Sequence, residues 1–222
     1  EAENFDGLTP APDGHTWTIG TDRAGFSGTG HLQALPNSGV NQNVNPDLLT
    51  QSPRLDYNVK FVKSGTHYIW ILGGDPDAAG AGDSVNAGIN GVNPPTALRI
   101  DGTPGFNIAA GWNWVGNIQG DTRATIEVPS AANHVVNIWM REDGFYFDKL
   151  IITSDASYTP TGTGPAESVR TGGTPPAPTL SLARTGTGVS ITFTGTLQSA
   201  GSITGPWTDE SAAKSPFAVT PS

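Results

Sequence analysis

The chain contains no cysteine, which excludes a disulfide framework or a thiolate site and leaves the redox compartment unreadable. Basic residues are few: 11 Lys and Arg stand against 20 Asp and Glu, giving a net charge of -9 and a pI near 4.7. Phosphate binding needs a basic patch, so nucleic acid and anionic membrane surfaces are excluded as partners, while neutral ligands and cations remain open. No run approaches the roughly 20 apolar residues of a membrane span, and no signal-peptide pattern opens the chain. The start at Glu1 therefore reads as a mature or trimmed terminus. A 3.6-residue apolar period is also missing beyond a turn or so, which argues against helices.

What the chain has instead is glycine (29), proline (18) and many Thr, Ser and Asn residues, the composition of a turn-rich all-β protein. Period-two alternation marks strands in RLDYNVKFV (54–62), THYIWILGG (66–74), TRATIEVP (122–129), NHVVNIWMRED (133–143) and FYFDKLIIT (145–153). Each is bounded by Gly, Pro, Asn or Ser clusters, the punctuation of antiparallel sheets. Within the fourth, Val136, Ile138 and Met140 share one face and Asn137, Trp139 and Arg141 the other. Irregular connections between such strands fit a two-sheet sandwich better than a tight-hairpin barrel.

Composition divides the chain into a sandwich at 1–155, a Pro/Gly/Thr linker at 156–177 and a small module at 178–222. In the last, Leu180 with Leu182, and Val189 with Ile191 and Phe193, alternate, and Trp207 can cap a small core. Its length is marginal for an independent sandwich, so an incomplete β-sandwich module is expected.

The opening EAENFDG places Glu1, Glu3 and Phe5 on one face if extended. Carboxylates that close repel unless a cation or donor lies between them, so the pattern is either a solvated terminus or two thirds of a metal site.

Three stretches carry a resemblance. EAENF resembles the opening strand of carbohydrate-binding modules of families 6 and 35, MREDGFYFDKLIIT resembles their closing strand, and GWNW (111–114) sits where they carry a Trp-containing loop. The run from HYIWILGG through GDSVNAGING to YTPTGTGPAES is similar to the C-terminal accessory domain of family 115 glycoside hydrolases, over residues 1 to about 168. The C-terminal piece is similar to short fibronectin-type-III-like modules. The resemblance implies a jelly roll in a secreted, extracellular polysaccharide-degrading protein. It also implies a structural calcium ion (Ca2+) held by Glu1, Glu3 and Asp148, with backbone oxygens of DRAGFSG (22–28) completing the shell. Without that ion, Asp148 would pair with Arg23 or Arg141.

A sugar site pairs an aromatic plane with fixed polar groups. The resemblance places it at Trp112, Trp114 and Tyr146, with Asn113 between the tryptophans and with His31 and Trp17 as secondary candidates in long early loops. Tyr146 stands where the resembled modules carry a sugar-binding Asn. Trp112 and Trp114 share a face if extended, so that one is free to be core and the other ligand, or both to pack under a loop. Trp70 and Trp139 read as structural. The loop holding Asp75, Asp77 and Asp83 lacks the closing Glu of a calcium loop and reads as solvated.

Glycoside hydrolysis needs two carboxylates facing across a cleft, about 5 to 9 Å apart, whereas Glu142 and Asp143 are adjacent in a turn. GDS at 82–84 has no later Asp-X-X-His to complete a triad. The chain is thus expected not to be an enzyme. Two function classes remain: a module binding a polysaccharide or oligosaccharide, and a subunit of an extracellular assembly in which the C-terminal module self-associates by strand exchange.

Overall fold

The computed structural model describes residues 1–43, 46–76, 80–106, 111–170, 180–185, 188–193, 197–210 and 213–219. Asp77 and residues 171–177 of the expected linker lie outside them. Among the described residues, ten strands lie in the first compact unit, Glu1–Glu167: β1 (Gly7–Thr9), β2 (Thr16–Gly20), β3 (His31–Leu35), β4 (Arg54–Lys60), β5 (Gly65–Gly74), β6 (Val85–Ile89), β7 (Asn113–Val115), β8 (Thr125–Val128), β9 (Asn133–Met140) and β10 (Tyr146–Thr153). One helical turn, α1 (Asp47–Gln51), precedes β4.

The strands build an all-β, two-sheet jelly-roll sandwich. One sheet has the order β1-β4-β9-β6 and the other β2-β3-β10-β5-β7, with β8 also paired to β5, and every pairing is antiparallel. Alternation does what the sequence suggests. Leu55, Tyr57, Val85, Ala87, Ile138 and Met140 face inward from one sheet and meet Leu32, Ala34, Ile69, Ile71 and Phe147 of the other. GINGVNPP makes a tight turn between Ile89 and Val92: Asn90 and Gly91 both take positive φ (53° and 77°), the signature of a two-residue hairpin turn.

Outward-facing residues of β9 are buried as well, which alternation alone does not foresee. Loop 90–99 folds back over them: Asn137 Oδ1 accepts the Gly91 N–H at 2.7 Å and Arg99 N donates to Asn86 Oδ1 at 2.8 Å. Trp139 is completely buried there, a structural role.

The first unit also extends further than the composition suggests. Residues 156–167 are no linker: Glu167 accepts from Asn4 Nδ2 at 2.8 Å, Lys149 Nζ donates to the Pro165 carbonyl at 3.1 Å, and the Trp114 indole donates to the Gly162 carbonyl at 2.9 Å. The polar stretch serves as a strap whose acceptors are two backbone carbonyls and the Glu167 carboxylate.

In the second unit, Ser168–Ser222, β11 (Leu180–Thr185), β12 (Gly188–Phe193), β13 (Gln198–Ser199), β14 (Thr208–Asp209) and β15 (Phe217–Val219) form one sheet ordered β11-β12-β15 and a two-stranded β13-β14 ribbon. Leu180, Leu182 and Trp207 are exposed, so Trp207 does not cap a core as expected.

Candidate functional site

The chain's beginning and the last strand of the sandwich meet. Register along β10 jumps from Phe147 opposite Gly73 to Lys149 opposite Leu72, leaving Asp148 as the extra residue of a bulge. Its carbonyl accepts the Ala2 N–H at 2.8 Å, and its fully buried carboxylate accepts the Ser27 N–H at 3.0 and 3.1 Å. Residues 1–6 are not the extended strand expected; a turn brings Asn4 N to Glu1 O at 3.4 Å. Both glutamates nevertheless reach the same loop. Glu1 Oε2 lies 2.6 Å from Ser27 Oγ, and Glu3 Oε1 accepts the Thr29 N–H at 2.6 Å. Gly28 sits between them at φ +67°, and a Cβ there would overlap Glu3 Oε1. Neither arginine pairs with Asp148: Arg23 lies over the Tyr146 ring, and Arg141 bonds Glu142.

The corner is short of positive charge and of protons. Ser27 Oγ lies within hydrogen-bonding distance of both Glu1 Oε2 and Asp148 Oδ2 (3.0 Å for the latter), yet a hydroxyl has one proton to give. Glu3 Oε2 is buried with no partner. Burial, with the Glu1 charge adding, pushes the Asp148 carboxyl above its usual range despite the Ser27 bonds. Lys149 Nζ, 3.1 Å from Glu1 Oε1, offsets one charge. Among the described residues no three His, Cys, Asp or Glu side chains converge closely enough to enclose a metal ion by themselves. An ion there would need backbone or solvent oxygens and a shift of the Ser27 donors. The hard, oxygen-only donor set and the orphan Glu3 oxygen suit calcium on those terms.

Beside this corner, the outer face of the β2-β3-β10-β5-β7 sheet gathers the expected aromatics, but packs most of them away. Tyr146 is 1 % exposed; its hydroxyl donates to the Gly111 carbonyl at 2.7 Å and Arg23 caps its ring at 4.1 Å. Gly74 is needed beneath it, since a Cβ would overlap the phenol oxygen. His31 lies on β3, fully buried, with its ring 5.6 Å from Trp112 and 6.1 Å from Tyr146. Burial holds its pKa down; Asp22 Oδ1 lies 3.5 Å from Nε2, and neither ring nitrogen has a hydrogen-bond partner. Trp17 belongs to the core: 3 % exposed on β2, it stacks edge-on to Phe147 at 5.2 Å and donates to the Pro53 carbonyl. Trp17, His31 and Tyr146 therefore present no open face: the first two, read as loop residues, lie in β2 and β3, and Tyr146 lies in β10 beneath Arg23.

Trp112, just before β7, and Trp114, within it, remain half-buried, and alternation puts both on the side opposite Asn113. Their indoles are anchored apart: Trp112 donates to Ala24 O at 2.9 Å and Trp114 to Gly162 O. Asn113, on the opposite side, donates to Gly105 O at 2.8 Å. Two arginines were not foreseen here. Arg23 covers Tyr146, and Arg123 lies 4.2 Å over the half-buried Trp70. Nothing in local sequence marks either, because each meets its ring across the fold.

Glu142 and Asp143 are consumed by structure. Glu142 accepts from Ser84 Oγ (2.6 Å), Asn41 Nδ2 (2.8 Å) and Arg141 Nη1. Asp143 accepts from the backbone of Ser38 and Gly39 and from the Ser38 hydroxyl, with His15 Nε2 at 3.2 Å. Asp83, expected to be solvated, is half-buried, and burial beside Glu142 pushes its pKa up to about 7.

Residues 1–167 match the model of the glycosyl hydrolase family 115 C-terminal domain. Uncharacterized protein P23 of Formosa agariphila is 28 % identical over 166 residues, covering 67 % of this chain and 38 % of that protein. The chain thus spans well under half the length of this curated relative. Among solved structures, the family 35 carbohydrate-binding module of Paenibacillus barcinonensis aligns at 12 % identity and TM-score 0.42, over 67 % of this chain and 99 % of that one. The GH26-CBM35 β-(1,4)-mannanase of Podospora anserina aligns at 15 % identity and TM-score 0.45, over 72 % of this chain and 28 % of that one.

Proposed function

Because the chain belongs to the family of glycosyl hydrolase family 115 C-terminal domains, we propose that it is a non-catalytic carbohydrate-binding module of a secreted polysaccharide-degrading protein, tethering its host to a neutral polysaccharide. The observation that carries the reading is the pair of half-buried tryptophans at and just before β7, with the Arg23 guanidinium over Tyr146, the neighbour of Trp112. Aromatic planes of this kind meet the C–H face of a sugar, while fixed donors meet its hydroxyls. The absence of catalysis is supported by Glu142 and Asp143, both tied down by the hydrogen bonds just described. Calcium in the corner of Glu1, Glu3 and Asp148 would fix loop 22–28, which carries Ala24 and so the Trp112 indole. Binding to a glycan array, with and without calcium, tests the proposal. Loss of signal in Trp112→Ala and Trp114→Ala is expected, and no binding to any plant or algal polysaccharide would overturn it.

A second reading, strand-exchange self-association, is favoured by β11. It is an edge strand in the β11-β12-β15 order, and its Leu180 and Leu182 are 61 % and 65 % exposed. Concentration-dependent assembly that Leu182→Lys abolishes would support it, and a monomer at all concentrations would remove it.

A further inference from the structure

Away from the aromatic patch, three loops and the end of β9 line an open recess of about 330 Å³, formed by Asn43, Pro95, Leu98, Arg99, Ile118, Gln119 and Arg141. That is the lower end of the roughly 300–1,000 Å³ range of small-molecule sites. Its walls are tied to one another. Gln119 N donates to Arg99 O at 2.9 Å, Arg99 N donates to Asn86 Oδ1, and Arg141 Nη2 donates to Asn43 Oδ1 at 2.6 Å. Arg99 itself takes φ +55°, a left-handed conformation that a non-glycine residue keeps only when its surroundings hold it there.

Charge decides the class of ligand. Each guanidinium already has its own carboxylate: Arg99 Nε bonds Asp101 Oδ2 at 2.6 Å, and Arg141 bonds Glu142. Asp83, its carboxyl pushed up to about 7 by burial and by Glu142, Asp101 and Asp75, supplies no positive charge. An anion would therefore meet a surface whose cations are spent. What the cavity offers is hydrogen-bonding groups of both senses from Asn43 and Gln119, guanidinium N–H donors, and an aliphatic wall of Pro95, Leu98 and Ile118.

From this we infer that the cavity is a second saccharide subsite, selective for a neutral sugar ring over a uronic acid and independent of Trp112 and Trp114. The ring's C–H face lies on the aliphatic wall, and its hydroxyls bond Gln119, Asn43 and the arginines.

The test is a titration of the full isotope-labelled chain, followed by amide NMR, with methyl β-D-xylopyranoside, methyl α-D-galactopyranoside and sodium glucuronate. The expected result is that at least one neutral glycoside shifts the side-chain amides of Asn43 and Gln119 and the backbone amides of Arg99 and Gln119, with a dissociation constant on the order of 1 mM. Gln119→Ala, an exposed position, should weaken that binding about tenfold with an unchanged spectrum elsewhere. Arg99→Asn, which tolerates the left-handed backbone, should do the same. Silence of these amides toward both neutral glycosides, or a stronger response to glucuronate, overturns the inference. Tryptophan indole signals that respond while the cavity stays silent would sink this inference and leave the proposed function standing. The reverse result upholds the cavity and removes the tryptophan reading.

Discussion

Placing a methyl group at Gly28 tests the corner on which the chain's opening residues depend. Gly28 has φ +67°, and a Cβ there would overlap Glu3 Oε1, which holds the Thr29 N–H and lies within 3.2 Å of the Thr29 hydroxyl. Two costs add in Gly28→Ala. The left-handed backbone costs a non-glycine residue about 1–2 kcal/mol, and expelling the buried carboxylate from its charge-assisted bonds costs about 1.5–3 kcal/mol. A loss of about 2.5–5 kcal/mol lowers the midpoint of a domain this size by about 5–20 °C, at roughly 2–4 °C per kcal/mol. Calorimetry of the full chain measures it, and a double-mutant cycle separates the parts. In a Glu3→Ala background the overlap is gone, so Gly28→Ala should cost only the backbone term, about 1–2 kcal/mol. An equal cost in both backgrounds would refute the claim that Glu3 is seated against Gly28.

The remaining predictions concern charge and packing. Chelation should lower the melting temperature of the first unit if calcium occupies the corner, by the equivalent of about 2.7 kcal/mol at a free ion level one hundred times the dissociation constant; calorimetry with and without chelator reads it. His15 sits between Asp13 (3.0 Å from Nδ1) and Asp143, and those carboxylates raise its pKa against the burial that lowers it. Its stabilising contribution is thus full below about 6.5, the ordinary value, and lost as pH rises through the higher folded value. Asp83, raised to about 7 by burial and its acidic neighbours, acts in the same direction between its ordinary range and about pH 7. Urea unfolding from pH 4 to 9 should show stability declining across this span, with His15→Asn flattening the upper part and Asp83→Asn the lower. Tyr146→Phe should cost about 1 kcal/mol through the unpaired Gly111 carbonyl, measurable by the same unfolding.

Much of the first unit was legible in the sequence because its strands alternate cleanly and Gly, Pro and Asn mark their ends. The meeting of Glu1, Glu3 and Asp148 was legible only through resemblance, since nothing local joins the chain's start to residue 148. Alternation says which side of a strand a residue faces, not what covers that side; this is why Tyr146 and His31 read as available and are not. The strap at 156–167 was missed for a related reason. Its contribution is carbonyl oxygens accepting from Trp114 and Lys149, and every residue type carries a carbonyl. The recess near Arg99 has no motif because segments distant in sequence supply one to three groups each.

The phenol of Tyr146 occupies a volume floored by His31 and walled by Trp112 and Arg23. Trimming that one side chain to an amide would hollow out a recess whose lining is already in position. One aromatic side chain thus fills the whole space between His31, Trp112 and the Arg23 guanidinium above it.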